Sequence, residues 1–458
     1  MERREQQLEQ VMYGKSLLSP HSKQFTTKVL TLATRAREIR TAPLNNVAHL
    51  IDDEWLHESW SRLKKGAAHG IDMVSTDEYA SNLDANISAL LIKLKQGSYK
   101  PQPVKRVYIP KGKDGHRPLG LPTTEDKLAQ RAVSIALATV YEQDFLDMSY
   151  GFRSRRSAHQ AVSDVKRVIA TSKISWIVDA DIKSFFDTMD HTWLMKFVAH
   201  RIADRKILSL INKWLKAGVM EDGKLEKAST GAPQGGVISP VLANIYLHYV
   251  IDLWTDKVVR KHIKGEMHCF RYADDTLFGF QFRKDAIKFM DALRKRLAKF
   301  NLSLNTEKTK LCRFGKFAER DRKRRGEKRS TFNFLGFTFY NSISRNGKYV
   351  VGNKTQSSRL SGSMTRVTEW LKANRHQAVS GQARYLNAVL RGHYHYYGVG
   401  GNFKCVSAYY RHIKRMWHRY LCRRSQRSYI RWEKYLMILD RFPLTRPHLP
   451  HSECKQRD

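Results

Sequence analysis

A chain of 458 residues with 41% hydrophobic residues is long enough for two or three domains, and this composition excludes a disordered protein. Its 82 Lys and Arg against 43 Asp and Glu give a formal net charge of +39, which indicates a polyanionic partner, nucleic acid first and anionic membrane second. No stretch approaches a membrane span and the N-terminus shows no apolar signal segment, which predicts a cytoplasmic protein without membrane contact. The five cysteines are scattered, which argues against disulfides and against zinc.

The first half of the chain alternates helical and strand-like patterns. Apolar residues at helical spacing predict an amphipathic helical segment over the first seventy residues and a second helix over residues 77–95. Residues 105–110 and 117–121 predict the two arms of a basic hairpin, and a helix follows over residues 125–143. A buried strand is predicted over residues 174–181, a helix from His191, and strand-like structure over residues 302–314.

The motif Tyr272-Ala273-Asp274-Asp275 places two adjacent acids between apolar segments, which predicts two short strands with the acids at their turn. Adjacent carboxylates repel each other, and a divalent cation relieves that repulsion. A solvated hairpin tip is the alternative. Upstream, Asp179 and Asp181 share one strand face, and either could complete a cluster of oxygen ligands for Mg²⁺. Two such ions about 4 Å apart can activate a 3′-hydroxyl and stabilise the leaving pyrophosphate.

The C-terminal part of the chain is strongly basic, because residues 341–458 hold 23 Lys and Arg but only 5 Asp and Glu. Interleaved aromatic residues favour binding of RNA or single-stranded nucleic acid, although core aromatics under a solvated cationic face are the alternative. Helices are predicted around residues 363–371, 385–390 and 406–421, with a hinge over residues 398–401. The like-charge run over residues 320–329 predicts an exposed loop.

Four motifs in this order closely resemble the reverse transcriptases encoded by group II introns: residues 181–187, 233–240, 272–275 and 334–337. The resemblance runs from about residue 66 to about residue 449. It implies an α+β right-hand polymerase with fingers, a palm built on an antiparallel sheet, and an α-helical thumb, followed by a small basic helical DNA-binding region. The implied domains are an N-terminal helical segment (1–65), fingers and palm (66–340), thumb or maturase domain (341–400) and DNA-binding region (401–458).

The same resemblance assigns the metal-binding triad to Asp181, Asp274 and Asp275, which selects Asp181 over Asp179. Two Mg²⁺ ions per active site are implied, with Mn²⁺ as a possible substitute. Phe186 matches the aromatic gate under the incoming sugar, where a rigid ring leaves no room for a ribose 2′-hydroxyl. A core phenylalanine is the alternative interpretation of this position.

Further nucleotide contacts follow from the resemblance. Lys111 and Arg117, on opposite arms of the basic hairpin, match triphosphate contacts, and Gln234 matches a glutamine that lines the nucleotide pocket. Lys308 matches a lysine proposed to protonate pyrophosphate, although Lys310 is equally basic and only two residues away.

Three more residues are implied to bind nucleic acid: Arg153, which follows Gly151-Phe152, and Arg391 and Tyr397 in the thumb motif. In that motif, residues 385–397, proline and tryptophan are commoner where Ala388 and His393 stand.

The implied function is an RNA-directed DNA polymerase that copies intron RNA into DNA during retrohoming and binds the intron RNA to assist splicing. Its expected partners are intron RNA, target DNA and dNTPs, and a bacterial-type protein of this kind would associate with the nucleoid when acting on DNA. No H-N-H endonuclease is expected, since only Cys454 lies in the last thirty residues. Two alternatives stay open: an RNA-binding maturase with incidental polymerase activity, and a domesticated, defence or CRISPR-associated reverse transcriptase.

Overall fold

The computed structural model describes residues 20–110, 115–221, 224–226, 230–231, 235–326, 330–344, 346–425 and 429–451. Helices and strands are both abundant, in agreement with the predicted α+β class. The helices are α1 Pro20–Glu38, α2 Asp53–Ser61, α3 Thr76–Ser81, α4 Leu83–Gln96, α5 Thr124–Tyr141, α6 Ala158–Thr171, α7 Phe185–Thr188, α8 His191–Ala199, α9 Arg205–Lys216, α10 Ser239–Leu247, α11 Arg260–His262, α12 Arg283–Lys299, α13 Lys316–Arg325, α14 Ser357–Ala373, α15 Val379–Tyr397, α16 Phe403–Leu421 and α17 Trp432–Arg441. A 3₁₀ turn spans Ala48–Leu50, and π-helical turns span His248–Asp252 and Thr255–Val259.

The strands are β1 Val104–Pro110, β2 His116–Leu121, β3 Trp176–Ala180, β4 Val219–Glu221, β5 Lys224–Glu226, β6 Met267–Tyr272, β7 Asp275–Phe280, β8 Lys310–Arg313, β9 Thr331–Phe334, β10 Phe337–Ile343 and β11 Tyr349–Thr355. The chain divides into two compact units, each built from several segments. Unit 1 comprises Met1–Ser157, Ala180–Phe278 and Lys284–Thr309, and unit 2 comprises Ala158–Asp179, Gly279–Arg283 and Lys310–Asp458.

In unit 1, the predicted basic hairpin is confirmed: β1 pairs antiparallel with β2, in a register that sets Ile109 opposite Arg117. The sheet continues from β1 to β4 in parallel and from β4 to β5 antiparallel. Helix α5 is buried along most of its length, and the fully buried Trp55 of α2 donates its indole N–H to the carbonyl of Ala132, at 3.1 Å. Burial of each large apolar side chain contributes about 1.5–3 kcal/mol.

In unit 2, β3 pairs antiparallel with β8, which sets Asp179 opposite Lys310, and β9, β10 and β11 form an antiparallel sheet. The three predicted C-terminal helices are confirmed as α14, α15 and α16. Their shared core contains aromatic residues, including Tyr394, Tyr409 and Trp417, whereas Tyr429 and Trp432 are exposed. The alternative interpretation, core aromatics, therefore holds for Tyr394, Tyr409 and Trp417, and nucleic-acid binding by exposed aromatics stays a prediction.

The prediction of a loop over residues 320–329 is wrong for residues 320–325, which belong to α13. Ion pairs stabilise this helix despite its like charges: Arg322 donates to both carboxylate oxygens of Glu319, each at 2.9 Å, and Arg313 pairs with Asp321. Gly326, with φ +67°, terminates the helix in the left-handed conformation. Residues 327–329 lie outside the described residues.

Two other predicted elements differ from the structure. The helix predicted over residues 77–95 is divided at Asn82, whose φ and ψ of −127° and 45° are not helical. The strand predicted over residues 302–314 is reduced to β8 and an isolated bridge between Leu304 and Ile182. Among the described residues, no helix combines the length and the apolar composition that a membrane span requires.

Candidate active site

The predicted acid turn is confirmed, since β6 ends at Tyr272, β7 begins at Asp275, and Ala273 and Asp274 form the turn between them. Ala273 adopts a left-handed conformation, with φ +54°, which costs about 1–3 kcal/mol for a residue with a side chain. Its backbone is tightly enclosed, because a Cβ atom added to Gly151 would collide with the Ala273 nitrogen. Only glycine therefore fits at residue 151, and the turn is fixed by its surroundings.

Arg271, the residue before Tyr272, is fully buried and organises the chain behind the turn. Its guanidinium donates to both carboxylate oxygens of Asp252 at 2.7 and 2.5 Å, to Asn244 Oδ1 at 3.0 Å, to Ser149 Oγ at 2.7 Å and to the Ala273 carbonyl at 3.1 Å. Burial alone would raise the pKa of Asp252, but the adjacent Arg271 charge lowers that pKa below its ordinary value. The lowered pKa keeps Asp252 ionised beside Arg271, and Arg271 holds the turn through its hydrogen bond to the Ala273 carbonyl.

Local sequence patterns do not reveal this network, although the sequence contains one signal of it. Arg271 directly follows the apolar residues Cys269 and Phe270 in β6, and a buried cation requires a partner. The partners Asp252 and Asn244 are 19 and 27 residues distant in the chain, so no local pattern connects them with Arg271.

Asp181 directly follows β3, and its backbone is held on both sides. Its N–H donates to Thr309 Oγ1 at 3.4 Å, and its carbonyl accepts from the Asn305 N–H at 2.8 Å. Its half-buried carboxylate lies 3.5 Å from the ammonium nitrogen of Lys308. Lys310, by contrast, lies opposite Asp179 in the strand pairing, so Lys308 is the lysine beside Asp181.

Asp181 is close enough to Asp274 to affect the ionisation of Asp274. Burial raises the pKa of Asp274 above its ordinary value and the negative charge of Asp181 raises it further, whereas Arg117 and Arg271 act in the opposite direction. Asp275 is exposed at the start of β7. Within the described ranges, no group of three or more His, Cys, Asp or Glu side chains is arranged to hold a metal ion. Of the three predicted metal ligands, Asp181 and Asp274 interact electrostatically, and Asp275 follows Asp274 in the chain.

The two phenylalanines after Asp181 differ in burial. Ser184 has φ +46°, and this left-handed residue starts the short helix α7. Phe185 is 2% exposed and packs edge-to-face against Phe186, with ring centres 5.3 Å apart, while Phe186 is half-buried. Phe185 is therefore the core residue of the pair, which leaves Phe186 available at the surface of the site.

Glycines bring three backbone segments together in the same region. A Cβ atom on Gly231 would lie 2.9 Å from the Phe186 carbonyl oxygen, and one on Gly235 would lie 2.6 Å from that of Gly120, on the strand that carries Arg117. Arg117 itself is exposed, and its charge acts on Asp274. The predicted contacts Lys111 and Gln234 lie outside the described residues.

The three predicted nucleic-acid contacts have different surroundings. Arg153 is 4% exposed, and its guanidinium donates to Glu142 and to the carbonyls of Leu146 and Ser149. In this conformation Arg153 positions the chain beside Gly151, and a direct nucleic-acid contact stays a prediction. In unit 2, Arg391 is exposed on α15 and Tyr397 is half-buried at its end.

Comparison with known proteins identifies the family. The model described as "Reverse transcriptase (RNA-dependent DNA polymerase)" matches residues 109–339, half of the chain, including Asp181, Asp274 and Asp275. The chain belongs to the reverse transcriptase family. The matched region begins near the end of β1 and contains β2, the acid turn and the Arg271 network.

Several relatives match this chain over part of their length. Protein YkfC of Escherichia coli (strain K12) is 39% identical over 224 residues, which cover 47% of this chain and 59% of YkfC. Group II intron-encoded protein LtrA of Lactococcus lactis subsp. cremoris is 46% identical over 166 residues, 36% of this chain and 27% of LtrA. Nuclear intron maturase 4, mitochondrial, of Arabidopsis thaliana is 30% identical over 131 residues, 28% of this chain and 16% of that protein. The chain spans less than two thirds of each relative.

Proposed function

We propose that this chain is an RNA-directed DNA polymerase of a group II intron, which copies intron RNA into DNA and also binds that RNA to assist its splicing. The observation that carries the proposal is Asp274 at the turn between β6 and β7 with the charge of Asp181, which follows β3, acting on it, in a chain of the reverse transcriptase family. In this proposal the acid turn belongs to the palm, the β1–β2 hairpin to the fingers, helices α14 and α15 to the thumb, and the residues after 400 to a DNA-binding region.

The chemistry of the acidic pair suits a hard divalent cation. The pKa of Asp274 is raised by burial and by the negative charge of Asp181, so an added positive charge would favour the ionised form of Asp274. Asp181 and Asp274, joined by the exposed Asp275, offer oxygen ligands and no soft ligand, which favours Mg²⁺ or Mn²⁺ over Zn²⁺. When bound, two such ions would lower the pKa of a primer 3′-hydroxyl and balance the charge of the departing pyrophosphate.

The other residues of the site would bind and select the nucleotide. Arg117, exposed near Asp274, would hold triphosphate oxygens with its fork of donors. The half-buried ring of Phe186 would lie under the sugar and exclude a 2′-hydroxyl. Lys308, whose ammonium nitrogen lies 3.5 Å from the Asp181 carboxylate, would donate a proton to the leaving pyrophosphate.

The intron substrate is proposed from two relatives, whose names describe a group II intron-encoded protein and an intron maturase. The net charge of +39 supports binding of RNA and of target DNA through their phosphates. Splicing assistance and DNA synthesis would use the same RNA-binding surface. A maturase whose polymerase activity is incidental is the second candidate, supported by the maturase match.

Primer extension on an RNA template tests the catalytic assignment. Asp181→Asn should lower the rate of DNA synthesis by at least about 10³-fold, because metal stabilisation of the transition state contributes several kcal/mol. Asp179→Asn is the matched control, since this half-buried acid lies two residues earlier on β3 and pairs with β8. Equal rates for the wild type and Asp181→Asn would refute the assignment. RNA binding that is retained without any DNA synthesis by the wild type would favour the maturase candidate.

A further inference from the structure

Helix α13 carries a ridge of three cations that the catalytic site does not use. Lys316, Arg320 and Arg324 are all exposed and are spaced four residues apart, so they follow one face of the helix at intervals of about 6 Å along its axis. Phe317 lies beside them with 37% of its surface exposed, and the Arg320 guanidinium is 5.6 Å from the centre of its ring. These four residues are called the α13 ridge.

The acids of the same helix are engaged by arginines. Glu319 has a side-chain exposure of 5% and accepts two hydrogen bonds from Arg322. Asp321 pairs with Arg313 of β8, and its other oxygen lies 3.9 Å from Arg320 Nε. Two acids thus support the fold of the helix, and the ridge presents a surplus of positive charge beside an exposed ring.

This arrangement is unfavourable for an isolated helix. Like charges four residues apart repel each other, and Lys316, Arg320 and Arg324 contain two such pairs. A row of phosphates would remove this repulsion and release counterions. An exposed aromatic ring can stack on an unpaired base, which an intact duplex does not offer.

We propose that the α13 ridge binds a single-stranded segment of RNA, with the three cations on successive phosphates and Phe317 stacked on a base. The inference rests on the proposed function, because it assigns part of the RNA contact of the same polymerase. It concerns a surface outside the acidic pair, so binding and DNA synthesis can be measured separately.

The test measures affinity for a fluorescein-labelled 20-nucleotide oligouridylate by anisotropy, over a series of salt concentrations. In the full chain carrying Lys316→Gln, Arg320→Gln and Arg324→Gln, the slope of log Kd against log salt should decrease by about 2, since each phosphate contact on a single strand contributes about 0.7. Phe317→Ala should weaken binding about fivefold at every salt concentration and leave the slope unchanged. Arg320→Gln alone should reduce the slope by about 0.7.

The matched control replaces three exposed lysines of α12 by glutamine: Lys284, Lys288 and Lys295. It makes the same change in net charge on another helix, and its slope should stay within about 0.5 of the wild type. The ridge variants should melt at the wild-type temperature or above, because glutamine removes like-charge repulsion.

An unchanged slope in the triple ridge variant, or an equal decrease in the control, would overturn the inference. A decrease confined to a 20-base-pair duplex DNA would overturn it too and would assign the ridge to DNA. The proposed function fails on a different result, namely a wild-type protein that does not extend a primer on RNA. Ridge variants that extend a short primer at the wild-type rate, but whose slope of log Kd against log salt is smaller, would support both the proposed function and the RNA contact of the ridge.

Discussion

Replacement of Arg271 by methionine should lower the free energy of unfolding by about 3–5 kcal/mol, because the variant leaves the Asp252 carboxylate buried without a counter-charge. Both side chains are fully enclosed, and Arg271 makes five hydrogen bonds, two of them to Asp252. A domain is stable by only about 5–15 kcal/mol, so the loss is a large fraction of the total. Urea unfolding followed by tryptophan fluorescence measures it.

A second variant separates the charge from the packing. Asp252→Asn combined with Arg271→Met removes both charges, so the double variant should lose much less stability than the sum of the two single variants. The double variant should nevertheless extend primers more slowly than the wild type, because the Ala273 carbonyl has lost its hydrogen-bond donor and the acid turn is no longer fixed.

The control is Arg294→Met, which breaks an exposed ion pair with Asp291 at 3.4 Å. This substitution should change the free energy of unfolding by no more than about 0.5 kcal/mol. A loss below about 1 kcal/mol for Arg271→Met, or equal losses for Arg271→Met and Arg294→Met, would refute the reasoning from burial.

Three other predictions concern the site. The pKa of Asp274 is raised above 3.8 in the folded chain, so without metal the folded chain keeps a proton at a pH where the unfolded chain has released it. The free energy of unfolding therefore falls as the pH rises from 3.8 through the raised pKa. Asp274→Asn should remove this fall and should abolish the increase in melting temperature caused by Mg²⁺; persistence of either effect would contradict the assignment. Phe186→Ala should admit ribonucleotides in primer extension, whereas Phe185→Ala should cost about 3–5 kcal/mol of stability and leave sugar selection unchanged. Lys308→Ala should lower kcat at least about 10²-fold in single-nucleotide incorporation, whereas Lys310→Ala should leave kcat unchanged. An unchanged kcat for Lys308→Ala would show that the lysine beside Asp181 has no part in proton transfer.

The sequence alone was sufficient for features that depend on local pattern. Apolar segments on both sides of Asp274 and Asp275 predict the hairpin and its turn, and apolar positions at helical spacing predict α14, α15 and α16. The choice of Asp181 over Asp179 came from family resemblance. The structure adds that Asp181 lies beyond the end of β3 and acts on Asp274, whereas Asp179 lies within the strand pairing.

Features that depend on distant partners could not be predicted. The burial of Arg271 becomes favourable only when Asp252 is folded beside it, and no local spacing reports that contact. The like charges of α13 predict a loop. The helix forms because one of its acids, Asp321, pairs with Arg313 of the separate strand β8, a contact that no local pattern shows. In both cases an ion pair between separate elements decides the structure.

The division of the chain into two units has a consequence for synthesis. The chain passes from one unit to the other five times, and the last segment of unit 1 ends at Thr309. A ribosome that adds about 5–20 residues per second needs roughly 15–60 s to reach that residue. Until then Asp181 and the acid turn have emerged without Asn305, Lys308 and Thr309, which hold Asp181 in the finished protein. A nascent chain therefore lacks a complete site for most of its translation, and truncation before residue 309 would yield a protein with its acids but without their support.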